Sequence, residues 1–302
     1  MFDLNKVDSQ KGRVAIVTGA NTGLGYETAL GLAKKQATVV LACRNLQKAE
    51  AAKQKILAEL PKAEIDIIQI DLSKLRSVRE FAKAYLAKYD RLDLLINNAG
   101  VMMPPYTKTE DGFELQMGAN HFGHFLLTGL LLETLNKTPD SRVVSLSSLA
   151  HQNGKIDFKN INWEKDYSRI GAYGQSKLAC LVYGFELQKR LEAAGSNTIS
   201  VIAHPGASDT ELGRHIPKWL YTTLKYTLFP LISHNVDKGA LPTLMGALDA
   251  SSKGGEYYGP TGFREMKGKP GLASFTDLSK DPEVAKKLWE VSEDLTGITY
   301  LS

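Results

Sequence analysis

Short runs of apolar, largely β-branched residues recur along the chain at 13–18, 38–42, 65–70, 92–96, 142–146 and 198–203. Longer amphipathic stretches separate them, at 24–35, 46–59, 75–88, 113–136 and 172–194. Strand followed by helix, repeated, is the rhythm of βαβ units in a parallel sheet. A run such as Val14-Ala15-Ile16-Val17 is apolar throughout, which suits a strand covered by helices on both faces. The expected fold class is therefore α/β, a doubly wound and mostly parallel sheet with helices on both faces. Neither a Pro/Ser-rich linker nor a repeat at solenoid period divides the chain, so a single domain over 1–302 is expected. Such a sheet binds its ligand at the carboxyl ends of the strands, and motifs that carry chemistry should follow strands directly.

The first such position holds Thr18-Gly19-Ala20-Asn21-Thr22-Gly23-Leu24-Gly25, between the first strand and the first helix. Gly19 permits a tight turn, Gly23 lets backbone N–H groups approach a pyrophosphate, and Gly25 allows close packing of helix on strand. Asn21, Thr22 and Leu24 complete this dinucleotide-binding loop. A nucleoside triphosphatase does not fit, because Gly25 is followed by Tyr26 and Glu27 and not by Lys and Ser/Thr. The second strand is followed by Cys43-Arg44-Asn45, where an acid would receive the ribose 2′-OH of NAD. The planar cation of Arg44 suits a 2′-phosphate instead, with Lys48 one turn further on, so NADP(H) is the expected cofactor. Asp71 and Leu72, after the third strand, are placed to meet the adenine, although a helix-cap role for Asp71 or Ser73 explains them equally well.

Composition narrows the partners. The 302 residues suffice for a large buried core. A net charge of +4 arises from intermingled acids and bases, which argues against a nucleic-acid surface. Cys43 and Cys180 are far apart and lack metal-ligand spacing, as expected of reduced thiols in a soluble, cytoplasmic protein. Residues 1–12 have no apolar segment, and the apolar stretch 219–232 is short and interrupted by Lys225 and Pro230; no integral membrane segment is expected. His121 and His124 sit three apart, but without a His-Glu-x-x-His or a further ligand cluster no metal site is expected. No Gly-x-Ser-x-Gly elbow marks a serine hydrolase.

The candidate chemistry lies in Tyr173-Gly174-Gln175-Ser176-Lys177. On a helix, positions i and i+4 share a face, so the phenol and the ammonium are neighbours. A free Tyr titrates near pH ~10, and making it a proton donor at neutrality requires about 3 pKa units, or roughly 4 kcal/mol. A cation about 4 Å away at an effective dielectric of ~20 supplies an interaction of that size.

Together these segments resemble the short-chain dehydrogenase/reductase family over nearly the whole chain. Thr18 to Gly25 is similar to its cofactor loop, Asn97-Asn98-Ala99-Gly100 to its fourth-strand motif, Ser147-Ser148 to its catalytic serine region, and Tyr173 to Lys177 to its active-site helix. Val101-Met102-Met103, Asp111-Gly112-Phe113-Glu114, Asn120-His121-Phe122-Gly123-His124-Phe125 and His204-Pro205-Gly206 resemble its retinol dehydrogenase-like branch. Protochlorophyllide reductases are similar in part. The resemblance implies a Rossmann fold and an NADP(H)-dependent oxidoreductase acting on an apolar aldehyde, ketone or alcohol. It implies Tyr173 as general acid, Lys177 as ribose ligand and partner of Tyr173, Ser148 as donor to the substrate carbonyl, and Asn120 as anchor of a water linking Lys177 to solvent. Asn98, Ala99 and Gly100 would border the adenosine ribose. Pro205, Gly206 and Thr210 would lie on the nicotinamide side. Ser208 departs from the apolar residue often found after the Pro-Gly.

Other readings stay open at this stage. The segment 211–235, rich in Trp219, Tyr221 and Phe229, reads as a substrate lid, as core, or as a peripheral membrane contact. Met102, Met103, His151, Tyr167 and His204 are candidates for the pocket wall. The same Tyr173 and Lys177 could serve a C=C reductase, and a non-catalytic NADPH sensor is a further alternative. Vertebrate members of the branch commonly carry an N-terminal membrane helix, whereas here the first strand follows Met1 closely. Family members often form homodimers or homotetramers through the Tyr173 helix and the next long helix, here 236–251.

Overall fold

A computed structural model describes residues 2–207 and 235–302. Thr210 and the lid expected at 211–235, apart from Asn235, lie outside the described residues. The sequence runs β1 Val14–Thr18, α1 Gly23–Lys34, β2 Thr38–Cys43, α2 Leu46–Glu59, β3 Ile65–Gln69, α3 Leu75–Leu86 and β4 Leu94–Asn97. It continues through α4 Leu115–Met117, α5 Gly123–Lys137, β5 Arg142–Leu146, α6 Arg169–Ala193 and β6 Ile199–Ala203. After the undescribed segment come α7 Val236–Gly239, α8 Leu241–Leu248, β7 Tyr257–Pro260, β8 Pro270–Leu272 and α9 Pro282–Thr296.

The strands form one eight-stranded sheet in the order β3-β2-β1-β4-β5-β6-β7-β8, parallel except for the β7–β8 pair. Successive residues of a strand point to opposite faces, and both faces of β1 are buried. Ala15 and Val17 pack with Ala29, Leu32 and Leu244 on one side, while Val14 and Ile16 pack with Phe81, Phe125 and Leu187 on the other. At about 1.5–3 kcal/mol for each fully buried Val, Leu, Ile or Phe, these two layers supply the main stabilising term. The strand order reverses between β1 and β4, which opens a crevice at the carboxyl ends of the two.

Two expectations are corrected, and two strands are added. The stretch 113–136 is not one helix: α4 passes into a π-helical turn, Gly118–Phe122, before α5 begins. Close neighbours impose this path, since a Cβ on Gly118 would meet Thr109 at 2.9 Å and one on Gly123 would run into the carbonyl of Leu72. The helix expected over 236–251 is two short ones, α7 and α8. The strands β7 and β8 were not foreseen; they carry Gly259, Pro260, Pro270 and Gly271, residues that weaken a strand signal, and Pro is tolerated at the sheet edge that β8 forms.

Candidate active site

Residues that follow β1, β2, β3, β4 and β5 converge with α6 on one cavity of about 800 Å3. Its floor is the glycine loop. Gly19 takes φ +68 and its N–H donates to the carbonyl of Ala42 at 2.8 Å. Gly23, with φ +58, opens α1, whose first N–H groups have no intrahelical acceptor and suit an anion. A Cβ on Gly25 would strike the amide of Asn98 and come within 2.5 Å of the carbonyl of Gly19. The third glycine therefore admits the loop after β4 as well as the turn after β1, where helix-on-strand packing alone was expected. Beneath the loop, burial pushes the Cys43 thiol up to about 11. Cys43 and Cys180 are both buried, free thiols.

Thr18 ties the loop to β4, a role not anticipated from the sequence. Its hydroxyl accepts from the N–H groups of Asn98 and Ala99, both at 2.9 Å, and lies 2.9 Å from His124 Nε2. Burial holds His124 down to about 4, so the ring is neutral at ordinary pH. His124 Nδ1 donates to the carbonyl of Asn120 at 2.9 Å, which leaves Nε2 to accept the Thr18 proton. The Asn98 amide donates to the carbonyl of Thr18 at 2.7 Å, so this side chain fastens β1 to β4 at the cavity wall.

Asn120 lies in the π turn, a distortion frequent at functional sites. Its side-chain oxygen accepts from Val101 N–H at 2.7 Å, and its amide donates to the Val101 carbonyl at 3.0 Å and to Ser176 Oγ at 2.9 Å. The loop after β4 is thereby held against α6. On α6, Tyr173 and Lys177 are both buried, and Lys177 Nζ stands 5.9 Å from the centre of the Tyr173 ring. Lys177 Nζ also donates to the carbonyl of Leu146 at 3.0 Å. A Cβ on Gly100 would lie 3.4 Å from that ammonium, so glycine leaves its approach open.

The two serines point apart, as alternation along extended backbone requires. Ser147 Oγ donates to the carbonyl of Lys177 at 2.8 Å, while Ser148 Oγ accepts from Ala150 N–H at 3.2 Å. Arg44, Asn45 and Lys48 are exposed where β2 ends. Asn45 caps α2 by accepting from Lys48 N–H at 2.8 Å. Neither Asp71 nor Ser73 caps α3, whose N-cap is Lys74; Asp71 instead accepts from the N–H and hydroxyl of Ser73 at 3.1 and 2.6 Å, closing a local turn.

The whole glycine loop from Gly19 to Gly25 except Ala20, with Arg44, Asn45, Lys48, Asp71, Leu72, Asn98, Ala99, Gly100, Tyr173, Lys177 and Pro205, lines this one cavity. Asn120, Ser148 and Gly206 are not on its wall. Met102 is; Met103 is not, and its N–H donates to Gln116. His151, Tyr167 and His204 do not line this cavity either: His151 turns to the carbonyl of Ser148, Tyr167 to that of Pro104, and His204 to Gly206 and Glu265. Ile70, Val101, Leu115, Ala119 and Leu146 were missed because an apolar wall residue carries no chemical signal in sequence. His121 and His124 serve separate partners, Ser292 and Thr18, and among the described residues no group of three or more His, Cys, Asp or Glu is placed to hold a metal ion. Among the described residues no helix is long and apolar enough to cross a membrane.

A dinucleotide-type loop beside a buried Tyr–Lys pair defines a nicotinamide-dependent oxidoreductase of the doubly wound class. Comparison with known proteins agrees. The model of the short chain dehydrogenase family matches residues 13–220. Retinol dehydrogenase 11 of Mus musculus is 45% identical over 289 residues, covering 95% of this chain and 87% of that protein. Retinol dehydrogenase 13 of Homo sapiens is 42% identical over 293 residues, covering 95% and 85%. The crystal structure of an uncharacterized protein from Mycobacterium paratuberculosis superposes with a TM-score of 0.82 at 38% identity, covering 99% of this chain and 98% of that one. The chain belongs to the short-chain dehydrogenase/reductase family, in its retinol dehydrogenase-like branch.

Proposed function

We propose that the protein is an NADP(H)-dependent oxidoreductase that interconverts an apolar carbonyl compound and its alcohol, with Tyr173 as general acid and base. The observation that carries this reading is the shared cavity: Tyr173, Lys177, the glycine loop and Arg44 all line it. The residues present fit a dinucleotide. The glycine loop lines the cavity, the start of α1 offers N–H groups to a pyrophosphate, and Arg44 and Lys48 offer cations to a 2′-phosphate.

The bound nicotinamide supplies or accepts the hydride. In reduction, negative charge develops on the substrate oxygen, and Tyr173 O–H delivers the proton there; Ser148, off the wall but next to the wall residue Ser147, is taken as a second donor on the family resemblance alone. In oxidation, Tyr173 takes the alcohol proton back. The buried ammonium of Lys177 stabilises the phenolate formed between these steps, and its hydrogen bond to the carbonyl of Leu146 fixes its place. Asn120 holds the loop after β4 against α6 and, on the family resemblance, anchors a water that links Lys177 to solvent. Met102, Val101, Leu115 and Leu146 are among the apolar residues of the wall, which suits an apolar substrate. The relatives' names speak of retinol, so retinal and long apolar aldehydes lead the candidates.

The test is spectrophotometric. NADPH or NADH is added to the purified protein with retinal, aliphatic and aromatic aldehydes, and ketones, and the products are identified. Loss of NADPH absorbance with formation of the matching alcohol is the expected result. A protein that binds NADPH yet reduces none of these carbonyls contradicts the proposal.

A further inference from the structure

The turn that follows β6 brings Pro205 to the cavity wall, and it is clamped from behind by a distant segment of the chain. Ala203, the last residue of β6, pairs with Leu146, so the turn lies beside Ser147 and Ser148. His204 is fully buried and its N–H donates to the carbonyl of Tyr258 at 2.8 Å. Gly206 N–H donates to His204 Nδ1 at 3.2 Å. That assigns the ring proton of the neutral tautomer to Nε2, which stands 3.2 Å from Glu265 Oε2. The approach is off the line of a well-directed hydrogen bond, and neither atom has another partner among the described residues, so the contact is electrostatic in the main. Burial alone would raise the Glu265 carboxyl; His204, with Ser274 N–H donating to Oε1 at 2.8 Å, holds it down to about 2.

The backbone around this pair is built for the contact. Arg264 and Glu265 both adopt left-handed conformations, with φ +48 and +55, which cost non-glycine residues energy and persist only where the surroundings enforce them. The same segment docks on the turn, Ala207 N–H donating to the carbonyl of Met266 at 2.7 Å. Gly206 has φ +72, and a Cβ there would run into that carbonyl. A Cβ on Gly259 would run into His204 Nε2 itself.

We propose that Glu265, acting through His204, is a positioning residue that fixes the 204–207 turn and so holds Pro205 in place on the wall of the dinucleotide cavity. The inference rests on the cofactor reading above. Glu265 touches neither the cavity nor Tyr173; its effect passes through the imidazole to the backbone of the turn. Loosening the turn should therefore weaken cofactor binding while leaving the proton chemistry of Tyr173 and Lys177 as it was.

The test compares Glu265→Ala and Glu265→Gln in the full chain by fluorescence titration with NADPH, thermal melting and steady-state kinetics. Glu265→Ala is expected to raise the NADPH Kd and KM about tenfold, with a smaller change in kcat. Glu265→Gln, whose amide oxygen still faces His204 Nε2–H, is expected to stay within about threefold of the parent. Should Glu265→Ala not fold, Glu265→Asp, which withdraws the carboxylate by one methylene, takes its place with the same expected rise. A folded Ala or Asp variant that binds NADPH as tightly as the parent overturns this inference and leaves the cofactor reading intact. A parent protein that binds neither NADPH nor NADH overturns both.

Discussion

Replacing Lys177 by methionine removes a buried ammonium while keeping nearly the same length and bulk. With Nζ 5.9 Å from the centre of the Tyr173 ring and an effective dielectric of ~20, the charge favours the phenolate by about 3 kcal/mol. That corresponds to about 100-fold in rate, or about 2 pH units. In the oxidation direction Tyr173 must be a phenolate to accept the alcohol proton, so activity rises with pH. Without the charge that rise should shift towards alkali by about 2 units, and activity at neutral pH should fall about 100-fold. The variant also leaves the Leu146 carbonyl without its donor, which costs about 1 kcal/mol of stability but has no pH dependence of its own. The assay is therefore a full pH profile of kcat/KM for alcohol oxidation, parent against variant. A Lys177→Met protein whose activity falls but whose pH profile keeps the parent's position would refute the electrostatic role.

Two further outcomes follow from other parts of the site. Arg44→Ala should reduce the preference for NADPH over NADH by about tenfold or more, the size of one lost charge-assisted contact, read from Kd values for both dinucleotides; unchanged discrimination would remove Arg44 from the cofactor argument. Burial holds His121 down to about 3 and His124 to about 4, against 6.5 in the unfolded chain, so the unfolded state takes up protons that the folded state cannot. Stability is then complete above the unfolded value and falls as the pH drops below it, by about 2 kcal/mol for each histidine between pH ~6.5 and ~5. Urea unfolding at the two ends of that window measures it, and a flat result would contradict the neutral, buried assignment.

The parallel core was legible because buried parallel strands are apolar on both faces and need no alternation to be recognised, as in Val14 to Val17. The glycine loop was legible because conformation restricts it, with Gly19 and Gly23 both at positive φ. Alternation on extended backbone says only that Ser147 and Ser148 face opposite ways, as their different partners show; the choice of Ser148 came from the family resemblance, and it is Ser147 that lines the cavity. Other features had no local signal. The π turn around Asn120 depends on what Gly118 and Gly123 touch, Thr109 and Leu72, and helical periodicity over 113–136 does not report such contacts. Thr18 looked like the end of a strand, and its link to His124 becomes visible only when β1, β4 and α5 are assembled. His204 was a candidate for the pocket wall, yet its side chain turns to Gly206 and Glu265.

The most direct measurement is the paired comparison of turnover and NADPH binding in Tyr173→Phe, which removes one hydroxyl and keeps the ring beside Lys177. The proposed chemistry predicts a fall in kcat/KM of at least about 100-fold for carbonyl reduction, with the NADPH Kd within about threefold of the parent. Turnover at the parent's rate in a Tyr173→Phe protein with intact NADPH binding would contradict proton donation by Tyr173.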